Sequence, residues 1–107
     1  MQVPERGDLV YLNLSPQSGH EPSGNRPGIV LSPELFNQGK FLAICPIMSE
    51  IMDYPFEVRL PEDAAIKGAI LTDQVRTVDW RSRDLNIKGH APDEITTTCL
   101  KRIYTFL

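Results

Sequence analysis

The chain has 107 residues, of which 41% are hydrophobic and 23% are charged, as in an ordinary globular protein. A chain of this length can bury one core but hardly two, so we expect a single domain over residues 1–107. The net charge is −3 and the isoelectric point is about 5.3. This balance excludes a protein that binds duplex DNA through bulk positive charge, so any nucleic-acid site must be a local patch.

The start of the chain and its cysteines limit the compartment and the chemistry. Residues 1–20 contain charged side chains and no long apolar run, which predicts neither a signal peptide nor a membrane span and indicates a cytoplasmic protein. Cys45 and Cys99 lack the Cys/His spacing that a zinc site requires. We interpret both as buried, reduced core residues, and we expect neither a metal nor a cofactor.

The first third of the chain predicts a strand, a loop and a second strand. Residues 8–14 alternate as a strand with one face buried. Residues 15–27 are rich in proline, glycine and serine, which predicts a loop of about twelve residues. Loops of that length are uncommon in small domains without a functional reason. Residues 28–32 form a continuous apolar run, typical of a strand buried on both faces.

The middle of the chain continues this pattern of short elements. Residues 33–38 suit one helical turn closed by a glycine, and residues 41–47 predict a third strand whose Pro46 implies an edge or a bulge. A second loop, residues 48–55, leads into residues 56–60, which alternate apolar and charged side chains as a half-exposed strand does.

The last third predicts two further strands and a helix. Residues 69–71 and 74–78 are the strands, with a bend or bulge between them. Pro92 and the acidic residues after it predict the start of a helix. An apolar stripe then recurs every four residues: Ile95, Cys99, Ile103 and Leu107.

Five or six short strands followed by a helix predict an α+β fold, with a small curled sheet or barrel capped by helices. The apolar end of the helix, residues 103–107, needs a cover that so small a sheet hardly provides. A homodimer is therefore expected.

The candidate chemistry lies at the end of the first loop. The sequence has no glycine-rich phosphate loop, no nucleophile elbow and no paired histidines at metal spacing. Arg26 lies directly before a buried strand and could hold a phosphate through its guanidinium fork. Glu21, five residues earlier, leaves an alternative in which the two side chains form an ion pair that only holds the loop in place.

Several runs follow one another in the order and spacing of a known family. They are GDLV (7–10), GHE (19–21), RPGIVLS (26–32), CPI (45–47), YPFEV (54–58) and DQVR (73–76). This pattern resembles the MazF/PemK toxins from about Arg6 to the terminal helix, which is nearly the whole chain. Each run alone is weak, but their combined order is specific.

The resemblance implies a small SH3-like β-barrel of five to seven strands with a C-terminal helix, the fold shared by CcdB-like and MazF-like toxins. It also implies a homodimeric toxin that is neutralised by an antitoxin peptide. Its activity would be metal-independent, sequence-selective cleavage of single-stranded mRNA. Attack of the ribose 2'-OH on the adjacent phosphate would leave a 2',3'-cyclic phosphate and a 5'-OH end.

Residue roles follow from the same resemblance. Arg26 matches the catalytic arginine, Glu21 matches the acidic residue that orients it, and Gln74 falls where the scissile phosphate is held. The other candidate RNA-binding residues are His20, Asn25, Arg76, Trp80, Arg81 and Arg83. The composition of residues 76–83, three arginines and a tryptophan, suits phosphates and a stacked base, although Trp80 as ordinary core remains the alternative.

The chain departs from the family at Met48. Family members usually carry a threonine two residues after the strand-ending proline, and its hydroxyl contributes to the chemistry. A thioether has no proton to donate, so Met48 cannot supply that function. Ser49 offers a hydroxyl one position later, but neighbouring side chains of an extended segment point apart.

Three functions remain in view from the sequence. The first is an endoribonuclease, active or attenuated by Met48. The second is a catalytically inactive relative that binds RNA or antitoxin. The third is a gyrase-directed toxin of the same superfamily, against which the Arg26-Pro27 and Asp73-Gln74-Val75 runs argue. Neither the RNA cleavage motif nor the identity of the antitoxin can be read from these residues.

Overall fold

An antiparallel sheet of seven strands and a C-terminal helix dominate the computed structural model, which describes residues 2–14 and 24–107. In chain order the elements are β1 (Asp8–Asn13), β2 (Asn25–Val30), α1 (Glu34–Asn37), β3 (Phe41–Met48), β4 (Glu57–Arg59), β5 (Ala69–Leu71), β6 (Arg76–Asp79), β7 (Asn86–His90) and α2 (Asp93–Tyr104). One turn of 3-10 helix, Thr72–Gln74, joins β5 to β6.

Strand β3 is the centre of the sheet. The strand order is β4-β5-β3-β2-β1-β7, and β6 pairs with β3 beside this path. One edge of β3 pairs with β2, while its other edge pairs first with β6, through residues 41–44, and then with β5, through Ile47 and Met48. Pro46 falls between these two pairings, where its missing N–H costs no ladder hydrogen bond. The predicted edge or bulge at Pro46 is thus the point where β3 changes partner.

Two apolar clusters lie on opposite faces of the sheet. The helix-side cluster contains Leu9, Ile29, Leu31, Cys45, Ile47, Val58, Leu60, Ile66, Ile70, Ala91, Cys99 and Ile103. The tryptophan cluster contains Val10, Leu12, Val30, Leu42, Ile44, Val78 and Trp80. Alternate residues of β1 enter different clusters because successive side chains point to opposite faces. The prediction that β1 is buried on one face only is therefore wrong.

The second strand begins earlier than the sequence predicts. It pairs with β1 from Asn25 onward, with Arg26 opposite Leu12, so residues 25–27 belong to a strand and not to the predicted loop. Residues 15–23 of that loop lie outside the described residues. The predicted burial of the apolar run is confirmed, since Gly28, Ile29 and Val30 are all buried.

Most later elements match their predictions. The helical turn after β2, the strands β4 and β5, and the bend before β6 are all present. Strand β7 was not predicted, although it pairs with β1 through residues 86–90. Its side chains alternate between exposed and half-buried and contribute little to either cluster.

Helix α2 covers the helix-side cluster. It begins with Asp93 and Glu94 and carries Lys101 and Arg102 in its last turn, the charge order that the helix dipole favours. Cys99 and Ile103 are buried as the stripe predicts. The stripe does not extend to Leu107, because the helix ends at Tyr104 and Leu107 is 83% exposed.

The α+β fold class is confirmed, with seven strands and a C-terminal helix. The sheet is not closed into a barrel, because β4 and β7 stand at opposite ends of the strand order. Over the described residues, no helix is both long and apolar enough to cross a membrane.

Candidate active site

A pocket of about 280 Å³ lies where β2 begins, β3 ends and β6 begins. It brings together four of the residues that the sequence singled out, and apolar side chains form the rest of its wall. Its lining residues are Leu14, Arg26, Pro27, Ile44, Pro46, Ile47, Met48, Gln74 and Arg76. The apolar contributors were not predicted, because nothing in the sequence distinguishes a pocket wall from a core position.

Two arginines give this pocket its charge. Arg26 is the second residue of β2, and Arg76 is the first residue of β6, paired with Ile44 on β3. Both side chains are exposed, and no carboxylate is found among the described residues that line the pocket. A protein with a net charge of −3 thus has a local positive site here.

Met48 also differs from its predicted place, since it is the last residue of β3 and not part of a loop. It pairs with Ala69 on β5. The close approach of β5 depends on Gly68, whose φ is +131° and where any Cβ would collide with the Met48 carbonyl. The side chain is 42% exposed and lines the pocket. A thioether, which cannot donate a proton, therefore lines the pocket at the position where family members usually carry a threonine hydroxyl.

Gln74 and Ser49 are placed differently relative to the pocket. Gln74 ends the 3-10 turn, is exposed, and lines the pocket. Ser49 is exposed and directly follows β3, but it does not line the pocket among the described residues. Of the neighbours Met48 and Ser49, only Met48 is therefore found in the pocket wall.

Asn25 and Arg83 are not among the described residues that line the pocket. Asn25 is exposed at the start of β2, and its carbonyl accepts a 3.5 Å hydrogen bond from Arg26 Nη1. Arg83 is half-buried and its Nη1 donates to the carbonyl of Asn13, at the end of β1, over 3.0 Å. Arg83 therefore holds the end of β1 in place.

Neither Trp80 nor Arg81 is among the described residues that line this pocket. Trp80 is 1% exposed in the tryptophan cluster, and its indole N–H donates to the carbonyl of Asn37 over 2.9 Å. A base cannot stack on a ring so deeply buried. Arg81 covers that ring at 4.4 Å and donates to the carbonyls of Gln38 and Gly39. The core interpretation of Trp80 is the correct one.

His20 and Glu21 lie outside the described residues. Their assignments to RNA binding and catalysis therefore stay predictions. The alternative in which Glu21 pairs with Arg26 also stays open.

The cysteines match their interpretation as reduced core residues. Both are free and buried in the helix-side cluster. Burial raises the pKa of each thiol to about 12, so neither is a thiolate nucleophile near neutral pH.

A model of the PemK-like, MazF-like toxins of type II toxin-antitoxin systems matches residues 5–107. The chain belongs to this family. The resemblance inferred from the short sequence runs is thereby confirmed.

Individual relatives agree with this membership. The chain is 39% identical to the endoribonuclease toxin MazF of Escherichia coli K12 over 95 residues, which cover 87% of this chain and 85% of the relative. A crystal structure of MazF from Deinococcus radiodurans superposes with a TM-score of 0.89 at 38% identity, covering 99% of this chain and 97% of that one. A MazE-MazF crystal structure from the same organism gives a TM-score of 0.88 at 34% identity, with coverages of 99% and 96%.

Proposed function

We propose that this chain is the toxin of a type II toxin-antitoxin pair and acts as a sequence-selective endoribonuclease on single-stranded mRNA. Its family membership and the endoribonuclease names of its relatives support this proposal. The observation that carries it is the pocket in which Arg26, Arg76 and Gln74 meet, where none of the described lining residues carries a carboxylate. Such a pocket favours a phosphodiester over a cationic ligand.

The reaction that fits these groups is an internal transesterification. The ribose 2'-OH gives up its proton to a base as its oxygen attacks the adjacent phosphorus, the bond from phosphorus to the 5'-oxygen breaks, and that oxygen takes up a proton, so no proton is gained or lost overall. The products are a 2',3'-cyclic phosphate and a 5'-OH end. Arg26 binds two phosphate oxygens through its planar fork and stabilises the charge that develops in the transition state.

The remaining roles are assigned on the same basis. Arg76 adds a second cation for the phosphate or its neighbour, and the Gln74 amide donates to a non-bridging oxygen. Glu21 orients Arg26 or accepts the 2'-OH proton. The charge that a metal would supply comes from the two guanidinium groups, so we expect cleavage without a divalent ion.

Two alternatives considered from the sequence receive no support from the relatives. The Escherichia coli K12 relatives MazF and ChpB are both named endoribonuclease toxins, so neither a non-catalytic binding module nor a gyrase-directed toxin is favoured. Met48 bears on the rate of the reaction and not on its class, because the phosphate-binding groups are present around it.

We also propose the partners and setting of the toxin. An acidic antitoxin segment, largely disordered before it binds, would occupy the same arginine-lined pocket as RNA. The toxin would act as a homodimer in the cytosol, where mRNA is translated, with residues 1–107 forming one toxin domain. Competition between a labelled RNA and the antitoxin tests the shared pocket, since binding of both at once would contradict it.

The activity itself is tested by incubating the purified protein with a long single-stranded RNA in EDTA. The expected result is a small set of discrete fragments whose 3' ends carry cyclic phosphate and whose 5' ends can be phosphorylated by a kinase without prior dephosphorylation. Uncut RNA, or fragments that appear only when Mg²⁺ is added, would contradict the proposal.

A further inference from the structure

The segment between β3 and β4, residues 49–55, borders the pocket and is held by a buried carboxylate. Glu57 is only 8% exposed, although its place in an alternating strand predicts exposure. Its Oε2 accepts a 2.6 Å hydrogen bond from the backbone N–H of Met52, and its Oε1 accepts a 2.9 Å bond from that of Asp53. Burying a carboxylate is costly unless it is hydrogen-bonded. The two hydrogen bonds offset that cost, and they also fix the backbone of the segment at residues 52 and 53.

The Glu57 carboxylate stabilises an unusual backbone conformation in this segment. Asp53 has a φ of +60°, in the left-handed region that side chains other than glycine seldom adopt. Such a conformation persists where surrounding contacts determine it. The Glu57 contact is made at the amide of this same residue, and the turn is closed where the N–H of Glu57 donates to the carbonyl of Tyr54 over 3.0 Å.

A second set of contacts joins the segment to the turn that carries Gln74. The Tyr54 hydroxyl donates to Asp73 Oδ1 over 2.6 Å, and Asp73 directly precedes Gln74. Partial burial and this hydrogen bond raise the pKa of Tyr54 to about 12, so the phenol remains a donor across the neutral range. The carbonyl of Phe56 accepts hydrogen bonds from both the backbone N–H and the hydroxyl of Thr72.

These contacts connect the two chain segments that contribute Met48 and Gln74 to the pocket wall. Met48 immediately precedes the segment, and Gln74 immediately follows the acceptor of Tyr54. We infer that Glu57, together with the Tyr54–Asp73 hydrogen bond, is a positioning device that fixes the end of β3 relative to Gln74 for RNA cleavage. This inference rests on the proposed endoribonuclease function. Glu57 itself faces the segment and is not among the described residues that line the pocket.

The test compares Glu57→Gln with the wild-type protein and with Glu62→Gln, which alters an exposed glutamate outside the segment. A glutamine retains one acceptor oxygen, so one of the two amides loses its partner. Hydrogen exchange at Met52 and Asp53 should accelerate at least tenfold in Glu57→Gln, while exchange in β1 and β2 stays unchanged. The single-turnover cleavage rate should fall about 10-fold to 100-fold, the effect of slight misplacement of reacting groups, with the RNA Kd within a factor of two.

A second variant, Tyr54→Phe, removes only a hydroxyl whose partner is exposed, so folding is not at risk. It should lower the cleavage rate in the same way and leave the RNA Kd unchanged. Unaltered exchange in Glu57→Gln, unaltered rates in both variants, or a rate loss matched by an equal loss of RNA affinity would each overturn the inference. A wild-type protein that does not cleave RNA would overturn the proposed function instead, and the exchange data would still report whether Glu57 holds the segment.

Discussion

At the scale of single residues, Met48 has the largest expected effect on the rate. It is the last residue of β3 and lines the same pocket as Arg26 and Arg76. Threonine at this position would place a hydroxyl in the pocket, and one positioned proton-transfer group contributes about 10² to 10⁴ in rate. We therefore expect Met48→Thr to raise the single-turnover cleavage rate by that factor, measured on a fluorogenic RNA.

Ser49→Ala is the control for this prediction. Ser49 does not line the pocket among the described residues, so its loss should leave the rate unchanged. A large loss in Ser49→Ala, with no gain in Met48→Thr, would mean that the neighbouring hydroxyl has taken over the role.

The two cysteines provide a prediction about pH. Burial raises the pKa of both thiols to about 12, above the ordinary value of 9.0. Because the raised pKa favours the neutral thiol in the folded state, any associated stability is complete below pH 9 and is lost as the pH rises towards 12. At pH 8 neither thiol should react with a disulfide reagent until the protein is unfolded in denaturant. Stoichiometric reaction of the native protein within minutes would contradict this assignment.

At the scale of elements, the start of β6 and the turn that follows β6 have different roles. Arg76 begins the strand and lines the pocket. Arg81 lies in the turn after β6 and donates to the carbonyls of Gln38 and Gly39, just after α1. Both belong to a run of eight residues that contains three arginines, and this composition suggested a shared RNA-binding surface. Residues that are close in sequence need not lie on the same surface of the protein.

Salt dependence of RNA binding separates these tasks. Each phosphate contact to a single strand contributes about 0.7 to the slope of log K against log salt. Arg76→Ala should therefore reduce the magnitude of the slope by roughly that amount, while Arg81→Ala should leave it unchanged. Filter-binding titrations over a range of KCl concentrations measure both. An equal reduction in the two variants would return Arg81 to the RNA-binding surface.

The sequence predicted elements with strong apolar periodicity and failed where burial depends on distant partners. Helix α2 has a four-residue stripe and was found. Strand β7 was missed because its residues 86–90 are exposed or half-buried, so its pairing with β1 leaves no apolar signal. Glu57 follows an alternating pattern that predicts exposure, yet the amides of residues 52 and 53 allow its burial.

The site was predictable to a similar degree. Arg26, Met48, Gln74 and Arg76 do meet in one pocket, and the family resemblance alone had singled out Met48 and Gln74. Trp80 was ambiguous because an aromatic beside arginines suits either base stacking or core. Its hydrogen bond to Asn37, 43 residues away, could not be read from local composition.

At the scale of the whole molecule, α2 leaves an apolar surface uncovered. Tyr104 and Leu107 are 82% and 83% exposed, and with Leu100 and Ile103 they border a cavity of about 420 Å³. We expect a homodimer that buries this surface, because exposed apolar patches of this kind mark interfaces. Light scattering should give twice the chain mass of 12.1 kDa.

The substitution Leu107→Asp would place a charge in that interface and should shift the mass towards one chain. The substitution Leu35→Asp is the matched control, since Leu35 is 81% exposed on α1, away from this surface. A wild-type mass of 12.1 kDa at micromolar concentration would contradict the dimer.

The central claim is that the chemistry takes place at the Arg26 pocket, and single-turnover cleavage in EDTA tests it most directly. Arg26→Ala should lower the rate by about 10² to 10³, the cost of removing one group that stabilises transition-state charge. Arg26→Lys should recover little, because lysine keeps the charge but loses the planar fork. Lys88→Ala, which removes one positive charge from β7 at the edge of the sheet, should retain the wild-type rate. Equal rates in wild type and Arg26→Ala would contradict the account.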